Sequence, residues 1–364
     1  MTVEHLGNRA FTEQNLPMVS DTDKERLNKY VLCEGDIVFS RVGSVDRCSY
    51  VDSNHSGWMF SGRCLRVRPY NAIYPLYLYY FFCMESTKQF VRNIAVGATM
   101  PSINTKLMGE IEVSVPNVDT QKRIATILSA IDDKIELNSR INQNLEQQAQ
   151  ALFKAWFVDF EPFGGVMPDD WEIVSLGKLC DSISKKHKFN KDELIFLNTG
   201  DVENGMILHN NYSEVSQMPG QAKKSIAIND ILYSEIRPIN KHFAYVNFVA
   251  DDYVVSTKLM VLRAKEISPR RLYQFLTMPD TLKELQIEAE SRSGTFPQIR
   301  FDNIQQLEMI IASEQVEKKY SERLNTIYSM IDTNNSENQR LSALRDTLLP
   351  KLMNGEIDVS KVRI

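Results

Sequence analysis

At 364 residues the chain is long enough for two or three domains, and its 43% hydrophobic content is sufficient for real cores. A formal net charge of −5 argues against a protein that coats nucleic acid regardless of sequence, though not against one that docks a few basic loops. No apolar run approaches the about 18 residues of a membrane helix, the start MTVEHLGNRAF lacks a basic or apolar signal region, and Cys33, Cys48, Cys64, Cys83 and Cys180 show no CxxC pairing. These features predict a cytoplasmic protein with reduced thiols and no membrane segment.

The segment up to Pro116 mixes short strands with a helix. Glu34-Gly35-Asp36 is a turn signal feeding the strand Ile37–Ser40, and the polar loop Arg41 to Arg47 follows with a glycine and two arginines. Arg63 to Val67 reads as a further strand. Pro75 stands at a helix N1 position ahead of LYLYYFFCMESTKQFVRNI, which reads as one helix. A turn at Gly97 leads to Met100-Pro101-Ser102-Ile103, and the alternation Ile111-Glu112-Val113-Ser114-Val115 predicts a closing strand.

From Thr120 to Phe160 one helix face carries Ile124, Leu128, Ile131, Ile135, Asn138, Asn142, Leu145, Ala149, Leu152 and Trp156 at alternating steps of four and three. About 36 helical residues rise roughly 54 Å, too long for one small domain, so the helix needs a partner of similar length. Pro162, Gly164, Gly165 and Pro168 then form a breaker-rich linker.

The segment from Trp171 to Ser313 repeats the first. Asn229-Asp230-Ile231-Leu232-Tyr233-Ser234 matches Gly35-Asp36-Ile37-Val38-Phe39-Ser40, and the helix after Pro269 matches the one after Pro75. Gly294 and Phe296-Pro297 match Gly97 and Met100-Pro101; Leu307, Met309 and Ile311 match Ile111, Val113 and Val115. The final helix, Glu314 to Asn354, presents Leu324, Tyr328, Ile331, Leu341, Leu344, Leu348 and Leu352, with Asn335, Asn338 and Ser342 in its middle. Amides in a coiled-coil seam penalise registers in which they do not face each other, which makes the first helix the expected partner.

A unit written twice predicts an α+β architecture: two similar mixed α/β domains separated by two long antiparallel coiled-coil helices, in a pseudo-twofold repeat. The expected bounds are 1–118 and 162–313 for the domains, 119–161 and 314–354 for the helices, and 355–364 for a tail.

The sequence holds no GxxxxGK(S/T), GxGxxG, HExxH or GxSxG pattern, and its histidines (His5, His55, His187, His209, His242) do not pair at ligand spacing, so neither catalytic nor metal residues are assigned. Pro279-Asp280 with Glu284 starts a nuclease-like pattern but lacks the following lysine. Binding remains. Ser40, Arg41, Ser44, Arg47, Asn104 and Lys106 in the first domain, and Arg237, Asn240, Lys241, His242, Arg292, Gln298 and Arg300 in the second, are candidate DNA contacts. Arg and Lys reach guanine, Asn and Gln read adenine, and hydroxyls hold phosphates. A structural or oligomerisation protein with protein-binding domains, and a DNA-modifying enzyme in its own right, are the alternatives.

The doubled (Gly/Asn)-Asp-Ile-(Val/Leu)-(Phe/Tyr)-Ser strand, the proline-started helix, the Gly-to-Pro turn and the Gln-rich helix resemble the DNA specificity (S) subunits of type I restriction–modification systems. GDIVFSRVGSVDR, QKRIATILSAIDDKIELNSRINQNLEQQAQALFKAWF and LLPKLMNGEIDV carry most of the likeness, which covers essentially the whole chain. The resemblance implies two target recognition domains, each reading half of a split double-stranded DNA target, and no chemistry on this chain. It also implies two methyltransferase (M) subunits, which hold S-adenosylmethionine and methylate adenine, and restriction (R) subunits that join them. One departure stands out: Trp171-Glu172-Ile173-Val174-Ser175-Leu176-Gly177 opens the second domain and has no counterpart in the first, which is therefore expected to lack an N-terminal portion.

Overall fold

The computed structural model describes residues 1–292 and 296–362, without the side chain of Arg292. Gly294, the expected pivot of the second turn, lies outside the described residues. Two compact units emerge, Met1–Asn138 with Glu337–Ile364, and Ser139–Ser336. Each long helix, Val118–Phe157 and Glu314–Met353, contributes part of its length to each unit.

The sheet of the first unit is antiparallel, with Ile37–Ser40 between Cys48–Tyr50 and Cys64–Val67. Successive side chains of the central strand point to opposite faces. Ile37 and Phe39 pack with Tyr77, Tyr80, Phe82 and Leu128, and Val38 between them packs with Leu6, Leu32 and Val51. A strand buried on both faces explains its continuous apolar run.

The residues ahead of this strand have a physical reason too. Gly35 takes φ 89° and its counterpart Asn229 φ 71°, the left-handed region that Gly and Asn tolerate best. Asp36 is buried and accepts two hydrogen bonds from Arg68, at 2.6 and 2.7 Å, and one from the Cys33 amide at 2.8 Å. Asp230 does the same with Arg263, at 2.7 and 2.8 Å, and with the Ala227 amide at 2.7 Å. Bidentate pairing is what lets a carboxylate sit buried at the head of a strand.

Two expected elements differ. The helix after Pro75 is two helices, Pro75–Cys83 and Glu85–Ile94, because Met84 turns extended (ψ 136°) and buries its side chain. The second unit breaks alike at Met278, where Pro279 disfavours a helical residue before it. Residues 111–116 form no strand. Their counterpart Glu308–Ile311 is a strand because it pairs with Glu172–Ser175, an element the first unit lacks among its described residues.

Within the first unit Asp132 meets Arg345 and Asn138 meets Asn338, so the helices run antiparallel. Asn138, fully buried, donates to Asn338 Oδ1 at 2.9 Å and to Glu337 Oε2 at 2.8 Å. Leu128 is buried, with Ile131 and Ile135 half-buried beside it. On the second helix the inward positions are Asn338, Ser342, Arg345, Leu349 and Leu352. This corrects the expected seam. Leu344 is 47% exposed, and Leu341 and Leu348 are half-buried at its edges. The four-three ladder continues through the charged Arg345, a position that a search for apolar residues passes over.

The second unit holds two four-stranded sheets, one ordered Phe243–Tyr245, Ile231–Ser234, Leu259–Ala264, Cys180–Ser182. The other runs Ala222–Ser225, Tyr253–Ser256, Glu193–Leu197, Ser213–Glu214, with the middle pair parallel. Its helix segments pack antiparallel as well: Asn142 donates to Asn335 and accepts from Asn334, both at 2.8 Å, and the Trp156 ring packs tilted against Tyr320, with centroids 5.4 Å apart. Leu145, Tyr328 and Ile331 are buried in this core, with Leu152 packed against it. Arg271 is fully buried there, its guanidinium 3.6 Å from the Phe157 ring and 3.5 Å from Glu317.

Candidate nucleic-acid interface

In each unit the central strand ends in a loop that is stitched by backbone hydrogen bonds to the proline turn. In the first, Gly43 N donates to Pro101 O at 2.8 Å, Ile103 N to Arg41 O at 3.0 Å, and Val42 bridges Ser102. In the second, Arg237 N donates to Pro297 O at 3.2 Å, Ile299 N to Glu235 O at 2.8 Å, and Ile236 bridges Gln298. Loop and turn, far apart in sequence, thus form one surface in each unit. The residue that bends the loop is left-handed both times, Gly43 at φ 76° and Arg237 at φ 42°.

The candidate residues divide by what their side chains already do. Ser40 is buried and donates to Val42 O at 2.7 Å; its counterpart Ser234 donates to Ile236 O at 3.3 Å. The serine thus shapes the loop from within. Arg47, though exposed, donates to Leu6 O and fastens the N-terminal segment. Asn104 caps the helix Thr105–Met108, accepting from the Lys106 and Leu107 amides at 2.9 and 3.0 Å. His242 Nδ1 donates to Val202 O at 2.8 Å, and Gln298 is half-buried in the bridge to Ile236.

Arg41, Ser44 and Lys106 are exposed on the first surface, and Arg237, Asn240, Lys241 and Arg300 on the second. Lys241 takes φ 57° and donates its amide to Pro238 O at 2.9 Å, which fixes its backbone. The side chain of Arg292 lies outside the described residues. Glu235 is held by Lys258 at 3.3 Å, so its charge is compensated.

Sequence reasoning missed two cations. Arg63 lies beside Arg41, whose amide donates to Arg63 O at 2.8 Å, and Lys258 takes the same place beside Glu235, at 3.0 Å. Both stand one residue before strands that pair with the motif strand, Cys64–Val67 and Leu259–Ala264, so aligning the repeats at these strands would have revealed a basic residue in each.

Among the described residues no cluster of three or more His, Cys, Asp or Glu could hold a metal ion, and no helix is long and apolar enough to cross a membrane. The first surface offers a guanidinium, an ammonium and the Ser44 hydroxyl, and the second offers guanidinium and ammonium groups with the Asn240 amide, groups suited to phosphates and base edges.

Residues 6–147 and 168–343 match the family model for the type I restriction modification DNA specificity domain. The chain is similar to the type I restriction enzyme HindI specificity subunit of Haemophilus influenzae, 41% identical over 182 residues, which span 49% of this chain and 40% of that protein. It is also similar to the MjaIX specificity subunit of Methanocaldococcus jannaschii, 25% identical over 313 residues, or 81% of this chain and 72% of that one. The crystal structure of a type I restriction-modification system S subunit from M. genitalium shares the fold, with a TM-score of 0.56 at 18% identity, covering 89% of this chain and 84% of the other. With two matches that take in most of its length, the chain belongs to the type I restriction–modification DNA specificity family and carries two specificity domains.

Proposed function

We propose that the chain reads a bipartite double-stranded DNA target, with one recognition domain (1–118, then 162–313) on each half and the helices 119–161 and 314–354 as the spacer. One observation carries the reading: the same motif builds a stitched, cation-bearing loop-and-turn surface twice. Each helix has 40 residues; at ~1.5 Å per residue it rises roughly 60 Å, more than one turn of duplex. Arg41, Lys106, Arg237, Lys241 and Arg300 supply the phosphate and base contacts. The chain performs no bond-making itself. Two M subunits, holding S-adenosylmethionine, dock on the helices and methylate adenine in the target, and R subunits join that core in the cytoplasm.

Footprinting of the complex with its M subunits tests this reading. Two short base-specific protected patches with an unspecified gap are expected. One continuous patch, or equal protection on a scrambled duplex, contradicts it.

A further inference from the structure

Lysines that lie far apart in the sequence meet at one sheet edge of the second unit. The run Lys185-Lys186-His187-Lys188 lies along the edge strand Ala222–Ser225, which carries Lys223 and Lys224. His187 N donates to Lys223 O at 2.8 Å, Ser225 N donates to Lys185 O at 2.9 Å, and Lys186 bridges Lys224. Like charges directly opposite each other on paired strands are destabilising, so this arrangement works against the fold. Other lysines of the unit have carboxylate partners: Lys191 has Asp252, Lys258 has Glu235 at 3.3 Å, and Lys265 has Asp181 at 2.9 Å. Lys185, Lys186, Lys188 and Lys223 are exposed, and among the described residues no carboxylate stands within ion-pair distance of them.

Lys224 turns inward instead. It is half-buried, and its ammonium donates to Thr257 O at 3.0 Å and Leu259 O at 2.8 Å, on either side of Lys258. Lys258 O in turn accepts the Glu235 amide of the motif loop at 3.0 Å, so the lysine edge adjoins the loop-and-turn surface. The chain as a whole carries a net charge of −5, which makes four unpaired cations on one edge a local attraction for a polyanion. Among its described residues the first unit has a single three-stranded sheet and no such edge.

We propose that Lys185, Lys186, Lys188 and Lys223 bind the DNA phosphate backbone beside the half-site read by the second unit. A duplex presents one negative charge per ~1.7 Å of axis, enough to meet all four cations at once and offset their mutual repulsion. Contacts to phosphates carry no sequence information, so the edge lengthens the grip on one half without adding to the bases read. The inference rests on the DNA-reading function proposed above and adds a one-sided, sequence-independent contact.

The test measures binding of the complex with M subunits to a duplex bearing the motif methylated in the host, across a series of salt concentrations. Lys185→Gln, Lys186→Gln, Lys188→Gln and Lys223→Gln together should reduce the slope of log K against log[salt] by about 3 to 4, at about 0.9 per phosphate. Preference for the motif over a duplex altered in one half-site should stay within about twofold. In phosphate-ethylation interference the wild-type complex should depend on phosphates beside one half-site only, and the Gln variant should not depend on them. The four Lys→Arg replacements should restore both readouts. The urea midpoint of the Gln variant should equal or exceed the parent's, because repulsion is relieved. An unchanged slope with motif preference retained would overturn the grip and leave DNA reading intact, the lysines then only shielding a sheet edge. Loss of M-subunit retention with an unchanged slope would overturn it in favour of a protein contact. A wild-type complex that fails to distinguish the motif from a scrambled duplex would overturn both.

Discussion

Asp132 and Arg345, one on each long helix, lie 2.9 Å apart, and the same carboxylate accepts the Tyr80 hydroxyl at 2.7 Å. One side chain, 10% exposed, thereby ties both helices to the recognition-domain helix Pro75–Cys83. Burial opposes the charge on Arg345, but its bonds to Asp132 and Asp346 outweigh that and raise its pKa. Arg9 pairs with the adjacent Asp133 at 2.5 Å. In the second unit Asp332, on the other long helix, is bound by Arg270, which also lies 3.6 Å from the Tyr245 ring.

Asp132→Ala should cost about 3 kcal/mol in urea unfolding, because it leaves the buried Tyr80 hydroxyl unpaired and leaves the partly buried Arg345 guanidinium with Asp346 alone. Asp132→Asn, which keeps an acceptor for Tyr80, should cost less. Equal and negligible losses for both would show that the carboxylate ties nothing.

The corrected seam makes a paired prediction. Leu145 is 6% exposed and Leu344 47% exposed. Leu145→Asp should cost more than about 3 kcal/mol, since it buries an unpaired charge. Leu344→Asp should stay within about 0.5 kcal/mol of the parent. The reverse order in denaturant melts would restore the simpler apolar ladder.

Arg271 and Glu317 form a buried pair in the second unit, and burial lowers the arginine pKa while Glu317 raises it. Glu317→Ala should cost about 3–5 kcal/mol by leaving the cation uncompensated. Arg271→Met with Glu317→Leu should recover most of that, because stacking on Phe157 and Tyr320 is retained by an apolar chain. A double variant as unstable as the single one would mean that the charge itself is required.

Buried tyrosines set the alkaline limit. Burial pushes the Tyr320 pKa up to about 12 and raises those of Tyr80, Tyr233 and Tyr273 as well. In the unfolded chain tyrosine ionises near about 10, so above that pH the unfolded state binds fewer protons than the folded one. The stability that these groups contribute is fully present below pH 10 and is lost as pH rises through 10 to 12, at about 1.4 kcal/mol per pH unit for each group. Urea midpoints at pH 9, 10 and 11 check this; a flat profile would contradict the burial.

Much of the fold was legible because the repeat copies residues with strong local reasons. Gly35 and Asn229 meet a left-handed requirement, the buried carboxylates of Asp36 and Asp230 each meet an arginine, and the prolines at positions 75 and 269 start helices. The remainder depended on partners that sequence spacing does not reveal. Arg345 is inward because Asp132 awaits it, and residues 111–116 stay unpaired because, among the described residues, no strand pairs with them. The candidate residues gather on the two loops, but what their side chains do depends on the fold: the polar atoms of Ser40, Asn104 and His242 are engaged within the unit, and Arg63 and Lys258 come beside the loops only once the strands pair.

A spacer series tests the two-site reading most directly. The complex with its M subunits is bound to duplexes in which the gap between the half-sites is altered in sequence or lengthened by one base pair. Altered gap bases should leave affinity within about twofold, whereas one added base pair should cost at least about a thousandfold, toward non-specific binding. Tolerance of the insertion, or sensitivity to the gap sequence, would contradict two reading surfaces held at a fixed interval.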